Sequence, residues 1–233
     1  MNRGAVAIFV KTPGLSPIKT RLGQAIGARA AEEFYKLSLD ATHEVSVEAM
    51  RRASSASLDL TPYWAIAEPA EASHHLWYNF GNIFQGNGGL GERLSNVYGE
   101  LLRKHDFVIL IGADCPQMPW QYIIEAASFL RDGGNRFVIG PARDGGFYLF
   151  GGNVLLSEAL WSRVPYSQSN TAVKLMLEIK ALGDISELLP LVDIDTIDDL
   201  MCLAGLDRCN KGLLPSQRRV IEWSCSLLSP PSS

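Results

Sequence analysis

The run Phe107-Val-Ile-Leu-Ile111, closed by Gly112-Ala-Asp-Cys-Pro116, limits what this chain can fold into more than any other feature. An unbroken apolar run has no wet face, and its β-branched content and bounding Gly and Pro predict a strand buried on both sides, as in a parallel sheet. Residues 5–10 repeat the pattern between Gly4 and Thr12-Pro13-Gly14. Residues 137–140 and 147–150 predict two more strands around Pro141-Ala-Arg-Asp-Gly-Gly146, and residues 63–67 and 191–194 complete the set. Between them the apolar spacing turns helical. Phe34, Leu37, Ala41 and Val45 mark a helix over about 28–52, and Leu94, Val97, Tyr98, Leu101 and Leu102 another after Gly91. Helices are also predicted around 155–163 and 171–182, and further ones after Thr196, which with Asp199 spells a capping-box-like start. Strands alternating with helices predict an α/β fold, its mostly parallel sheet covered on both faces.

The 233 residues fit one domain, taken as 1–228, with Ser229-Pro-Pro-Ser-Ser233 expected to be a frayed tail. A net charge of −4 shows no basic excess, which argues against nucleic acid and acidic membrane surfaces as partners. No stretch approaches the ~20 apolar residues of a membrane span, and residues 5–10 are too short for a signal-peptide core. Cys115, Cys202, Cys209 and Cys225 show no CxxC spacing, so reduced thiols in a cytoplasm are expected, with Cys115 a packed thiol. His43, His74, His75 and His105 show no ligand spacing, and no nucleophile elbow is present. Nothing in the composition supports an oligomer.

Open α/β sheets bind ligands at the carboxyl ends of their strands, so the polar residues just past each apolar run carry the functional reading. Asp114 stands three residues beyond Ile111, in a turn shaped by Gly112 and Pro116. There it suits either a hard cation such as Mg²⁺, which takes one or two carboxylates plus substrate phosphates, or a cap on the helix near 118–120. Asp195, with Asp193 behind it, is the candidate second ligand, and helix capping is again the alternative. Lys11-Thr-Pro-Gly-Leu-Ser-Pro-Ile-Lys-Thr-Arg21 gathers three cations after the first strand, fit to neutralise a di- or triphosphate or to be a solvated basic loop. It is no P-loop, because Ile18 occupies the place of the second glycine. Gly86-Asn-Gly-Gly-Leu-Gly91 matches GxGxxG formally, but no long apolar strand precedes it, so it reads as a loop that approaches a nucleotide or simply opens a helix. Asp144-Gly-Gly146 offers a general base or acceptor contact, with a hairpin turn as the alternative.

Five blocks in order carry a resemblance: Phe9-Val-Lys-Thr-Pro-Gly14 with Ile18-Lys-Thr-Arg-Leu22, Gln85-Gly86 with Leu90-Gly-Glu-Arg93, Gly112-Ala-Asp-Cys-Pro116, Gly140 to Leu149, and Asp193-Ile-Asp-Thr196. Over about residues 5–205 the chain resembles bacterial GT-A-type glycosyltransferases, or nucleotide-diphospho-sugar transferases, distantly related to phospholactate guanylyltransferases. The resemblance implies a three-layer sandwich and a metal-dependent transferase using Mg²⁺ or Mn²⁺ and a nucleotide or nucleotide-sugar. It implies Asp114 and Asp195 as metal ligands and Lys11, Lys19 and Arg21 on phosphates. It places Asp144 in the acceptor region; Gly91, Glu92, Arg93, Gly145 and Gly146 are the further candidates to line the substrates, and Lys19 and Asp144 the candidates for the chemistry. Gly89, where similar sequences carry an acid, and Tyr166-Ser167, in place of a Trp-Ser-Thr stretch, depart from the pattern. Glycosyl transfer from a nucleotide-diphospho-sugar is the first expectation. Nucleotidyl transfer from an NTP to a small phosphorylated acceptor is the second, and a non-catalytic nucleotide sensor the third.

Overall fold

The runs read as buried strands lie side by side. The computed structural model of the chain describes residues 2–55, 57–69 and 77–229. Its strands are β1 (Asn2–Val10), β2 (Leu58–Ile66), β3 (Gly81–Phe84), β4 (Phe107–Gly112), β5 (Arg136–Pro141), β6 (Phe147–Gly152) and β7 (Asp184–Glu187). They form one seven-stranded sheet in the order β3-β2-β1-β4-β6-β5-β7. β6 alone runs antiparallel to its neighbours, and every other pairing is parallel. The described helices are α1 (Thr20–Ile26), α2 (Ala28–Ser55), α3 (Leu90–Leu102), α4 (Trp120–Arg131), α5 (Glu158–Arg163), α6 (Thr171–Ile179), α7 (Ile197–Ala204) and α8 (Pro215–Leu228).

Because successive strand residues point to opposite faces, each apolar run feeds two cores. Val6, Ile8, Ile109 and Ile111 face Val45, Ala49, Ile123 and Leu130 of α2 and α4. Ala5, Ala7, Val108 and Leu110 face Leu94, Tyr98, Trp161 and Leu175 of α3, α5 and α6. A third cluster, off the sheet, joins Leu22, Phe34, Ile194, Leu200, Leu203, Val220 and Ile221.

Four readings of the sequence are corrected. Residues 191–194 are not a strand: Leu191 makes one isolated bridge to Ala142, and the segment crosses the strand ends as extended chain. The last strand is instead β7, whose Asp-Ile-Ser-Glu sequence carries no apolar run because it is a sheet edge. β3, the opposite edge, is likewise too short and polar to announce itself, and the glycine loop after it still follows no long apolar strand. α1 emerges within the basic segment. β2 is also longer than residues 63–67, because Pro62 lies before β3 begins to pair at Tyr63, where only β1 flanks the strand. No described helix is long and apolar enough to cross a membrane. His74, His75 and tail residues 230–233 lie outside the described residues.

Candidate functional site

β1 and β4 are neighbours, but the chain leaves β1 towards β2 and leaves β4 towards β5 on the other side. Their carboxyl ends therefore bound a crevice where the strand order reverses, the usual ligand position of open α/β sheets. The β5–β6 hairpin brings residues 142–146 to the same edge, because β6 begins where β5 ends.

Lys19 stands at the centre. Its side chain is only 3% exposed, and its ammonium lies 2.5 Å from Asp114 Oδ1 and 2.9 Å from Asp195 Oδ1. Arg21 Nη2 approaches Asp195 Oδ2 at 2.7 Å. Lys19 takes φ 47° and ψ 43°, a left-handed backbone that costs a non-glycine residue roughly 1–2 kcal/mol and that the two ion pairs hold in place. Burial pulls the Lys19 pKa down, but Asp114 and Asp195 outweigh it and push it up to about 12. Burial alone would raise Asp195, yet Lys19 and Arg21 bring it below the usual carboxylate range.

A raised lysine pKa stabilises the fold in full below its ordinary value of 10.5 and loses that contribution as pH rises through about 12. We therefore expect the urea midpoint of the native chain to fall across that window more steeply than that of Lys19→Met. Parallel slopes for the two proteins would contradict the ion-pair assignment.

The capping alternatives for both acids are settled by their neighbours. α4 starts behind Pro119, with no side-chain cap bond, and Asp114 faces Lys19 instead. At α7, Thr196 Oγ1 accepts from Asp199 N at 3.3 Å, and Asp199 Oδ2 accepts from Thr196 N at 2.8 Å. That reciprocal pair closes the helix entry and leaves the Asp195 carboxylate to the cations. Asp193 turns towards buried Cys115, whose Sγ donates to Asp193 Oδ1 at 2.6 Å. Burial pushes the Asp193 carboxyl up to about 7, with the thiol bond pulling down and the charges of Asp114 and Asp144 adding to the rise. Burial also drives the Cys115 thiol far above its ordinary range, so it stays protonated and packed. Ile194 N donates to Asp114 O at 3.0 Å, sewing the two acid-bearing segments together.

The segment from Lys11 to Ser16 is fastened by residues the sequence reading passed over. Tyr35 Oη accepts from Lys11 N at 2.9 Å and donates to Lys11 O at 3.1 Å. Glu68 accepts from Thr12 N at 2.8 Å and from the Ser16 hydroxyl, and Trp77 Nε1 donates to Thr12 Oγ1 at 3.2 Å. Glu68 directly follows the predicted strand 63–67, so the strand-end rule that selects Asp114 selects it too. Buried Gln85 donates to Val10 O and Ala65 O, and its Oε1 accepts from Arg93 Nη1 at 3.2 Å. Arg93 Nε also donates to Gly88 O at 3.0 Å, tying the glycine loop to the sheet end. Glu92 is spent locally, accepting from Gly89 N at 2.7 Å. Gly91 gives way to an aromatic ring: a Cβ there would sit 2.5 Å from Tyr166 Cε2.

Asp144 occupies the hairpin turn, its Oδ1 accepting from Gly146 N at 2.9 Å. The hairpin reading therefore holds, and the same turn sets Asp144 on the wall of a cavity at the strand ends. Gly145 has φ 93°, and a Cβ there would drive into Ser169 O. Gly145→Ala is expected to cost about 2–4 kcal/mol, from left-handed strain plus overpacking, read as a lowered urea midpoint. An unchanged midpoint would show that the loop yields.

Two cavities meet at the acids. One, of about 640 Å³, is lined by Lys11, Lys19, Gln85, Gly88 and Arg93, and the other, of about 490 Å³, by Arg21, Asp144, Gly146, Tyr148 and Tyr166. Both are lined by Asp114 and Asp195. Gly91, Glu92 and Gly145 line neither and act on the shape of the loops.

The layers, strand order and strand-end site define a nucleotide-diphospho-sugar transferase-like α/β fold. A protein from Desulfovibrio desulfuricans G20, provisionally named a nucleotide-diphospho-sugar transferase, is similar with a TM-score of 0.81 and 21% identity over 97% of each chain. A cytidylyltransferase from Leptospira borgpetersenii serovar Hardjo-bovis is similar with a TM-score of 0.53 and 14% identity, over 100% of this chain and 99% of that one. The 4-diphosphocytidyl-2C-methyl-D-erythritol synthase of Anaerococcus prevotii DSM 20548 gives a TM-score of 0.52 and 11% identity, over 86% of this chain and 96% of that one. At such identities the likeness speaks for fold. The chain belongs to the bacterial family described as "Uncharacterized protein conserved in bacteria (DUF2064)", whose model matches residues 48–168. A comparison with curated proteins finds no match. The matched stretch holds Arg93, Asp114 and Asp144, while Lys11, Lys19, Arg21 and Asp195 lie outside it.

Proposed function

We propose that this protein is a transferase acting on a nucleotide-activated donor, and that its reaction is glycosyl transfer from a nucleotide-diphospho-sugar. One arrangement carries the reading: Asp114 and Asp195 stand on the seam between a cavity with several cations and a cavity with further acids. That is where the bond between a donor's diphosphate and its transferred group would lie.

The acids fit a divalent cation. They already converge on one positive charge, that of Lys19, and Asp114 is 48% exposed. Among the described residues no group of three or more His, Cys, Asp or Glu could hold a metal by itself, so donor phosphates and water would complete the shell. Asp114 and Asp195 would thus hold Mg²⁺ or Mn²⁺, which when bound would neutralise charge on the leaving diphosphate. Lys11 and Arg93 meet the donor phosphates from the larger cavity. Lys19, too buried to swing out, fixes the spacing of the two carboxylates. Asp144 takes the proton of the acceptor hydroxyl as its oxygen bonds to the anomeric carbon, and the nucleoside diphosphate departs with the electrons of the broken C–O bond.

Nucleotidyl transfer is the second reading, favoured by the fold shared with a cytidylyltransferase. Product analysis with a broad acceptor panel separates the two: Mn²⁺ with nucleotide-sugars and acceptors should release nucleoside diphosphate, whereas pyrophosphate from an NTP and an acceptor would replace our reading with the second. Nucleotide binding without turnover across both panels would instead identify a sensor. The described cysteines are all free, which fits the reducing cytoplasm in which we place the protein.

A further inference from the structure

We infer that the smaller cavity takes an uncharged or cationic hydroxyl-bearing molecule with an apolar face, and discriminates against phosphorylated and carboxylated ones. The inference rests on the donor–acceptor reading above, and names the chemical class of the acceptor. The ionisable side chains lining this cavity are asymmetric in sign. Asp114, Asp144 and Asp195 face it as carboxylates, against Arg21 as the cation among its lining residues, while Asp193 is tied to the buried Cys115 thiol.

Lys19 and Arg21 offset Asp114 and Asp195, and among the described residues no ion pair joins a cation to Asp144, whose carboxylate carries the excess. A divalent cation and the donor diphosphate bring opposite charges that offset each other, so the acid excess persists when the donor is bound. An incoming phosphate would meet that excess in a partly enclosed, half-exposed pocket, where repulsion between like charges is moderated by water and screened further by salt.

The remaining walls suit a neutral hydroxylated ring. Phe9, Phe147, Tyr148 and Tyr166 give flat apolar surface, and Ser167, Gln168 and Ser169 give hydroxyl and amide groups beside it. Ser167 holds φ 57° although it is not glycine, so the rim carries backbone strain of the sort found at ligand-binding loops. The nucleotidyl alternative, in contrast, requires a phosphorylated acceptor in this same acidic pocket.

The test uses a panel of neutral monosaccharides, aminosugars and polyols, each matched with its phosphate ester, and reads binding to the whole protein by saturation-transfer NMR. Neutral and cationic members should bind at least about 10-fold better than their phosphate esters. Gln168→Lys, which puts a cation on the wall outside the catalytic set, should narrow that ratio to within about 3-fold, and added salt should narrow it in the native chain. Phosphate esters binding as well as their neutral partners in the native chain would overturn the inference, as would binding by no member of the panel. A separate titration with nucleoside diphosphates and Mn²⁺ reports on the larger cavity. Its failure would sink the donor reading, while the charge preference of the smaller cavity would still be read from the panel.

Discussion

Replacing Asp114 and Asp195 together by alanine should cost about 3–5 kcal/mol of stability at neutral pH, because it strands the Lys19 ammonium in a buried position. The carboxylates are 48% and 33% exposed, whereas the lysine side chain is 3% exposed, so desolvation falls mainly on the cation. Lys19→Met alone leaves two partly hydrated acids facing each other and should cost less, about 1–2 kcal/mol. Adding Lys19→Met to the double alanine variant should therefore recover most of the loss, a strongly non-additive result that urea midpoints report directly. A triple variant no more stable than the double one would mean that Lys19 is not held by these acids.

The same three residues should behave differently in turnover. Asp114→Ala is expected to lower kcat/KM by roughly 10³-fold or more, since it removes a carboxylate worth about 4 kcal/mol of charge organisation in the transition state, and to abolish the response to Mg²⁺ or Mn²⁺. Stability restored by Lys19→Met should bring back none of this activity. Turnover by Asp114→Ala at the native rate, with the native metal response, would remove Asp114 from the mechanism.

The two residues at the centre were unequally legible. Asp114 is visible in sequence because β4 is buried on both faces and must end at a polar turn; β1, β5 and β6 are legible for the same reason. The pairing of Lys19 with Asp195 spans 176 residues and leaves no local trace. What the sequence shows near Asp195 is the Thr196–Asp199 cap, which hides the acid beside it under an ordinary explanation. Residues 191–194 imitate a strand because Leu-Val-Asp-Ile is a short, mostly apolar and β-branched run just before a polar turn. Their backbone groups bond instead to Pro141, Arg143 and Asp114 across the strand ends. The edges β3 and β7 were illegible because an edge strand need not be apolar. Glu68 stood at a strand end and could have been selected by that rule, whereas Gln85 acts by holding backbone in place, and nothing in a short motif distinguishes such a tether from a solvated side chain.

The third hydrophobic cluster has a mechanical meaning for the site. Leu22, three residues beyond Lys19, and Ile194, just before Asp195, belong to one small core with α7 and α8, while Asp114 hangs from the sheet. Lys19 and Asp195 thus share one mounting and Asp114 has another. The gap that two negative charges straddle is set where those mountings abut, at the bond from Ile194 N to Asp114 O. Loosening of the small core, as by Leu203→Ala, would act as a calliper adjustment: it would change the opening between the jaws without touching either tip.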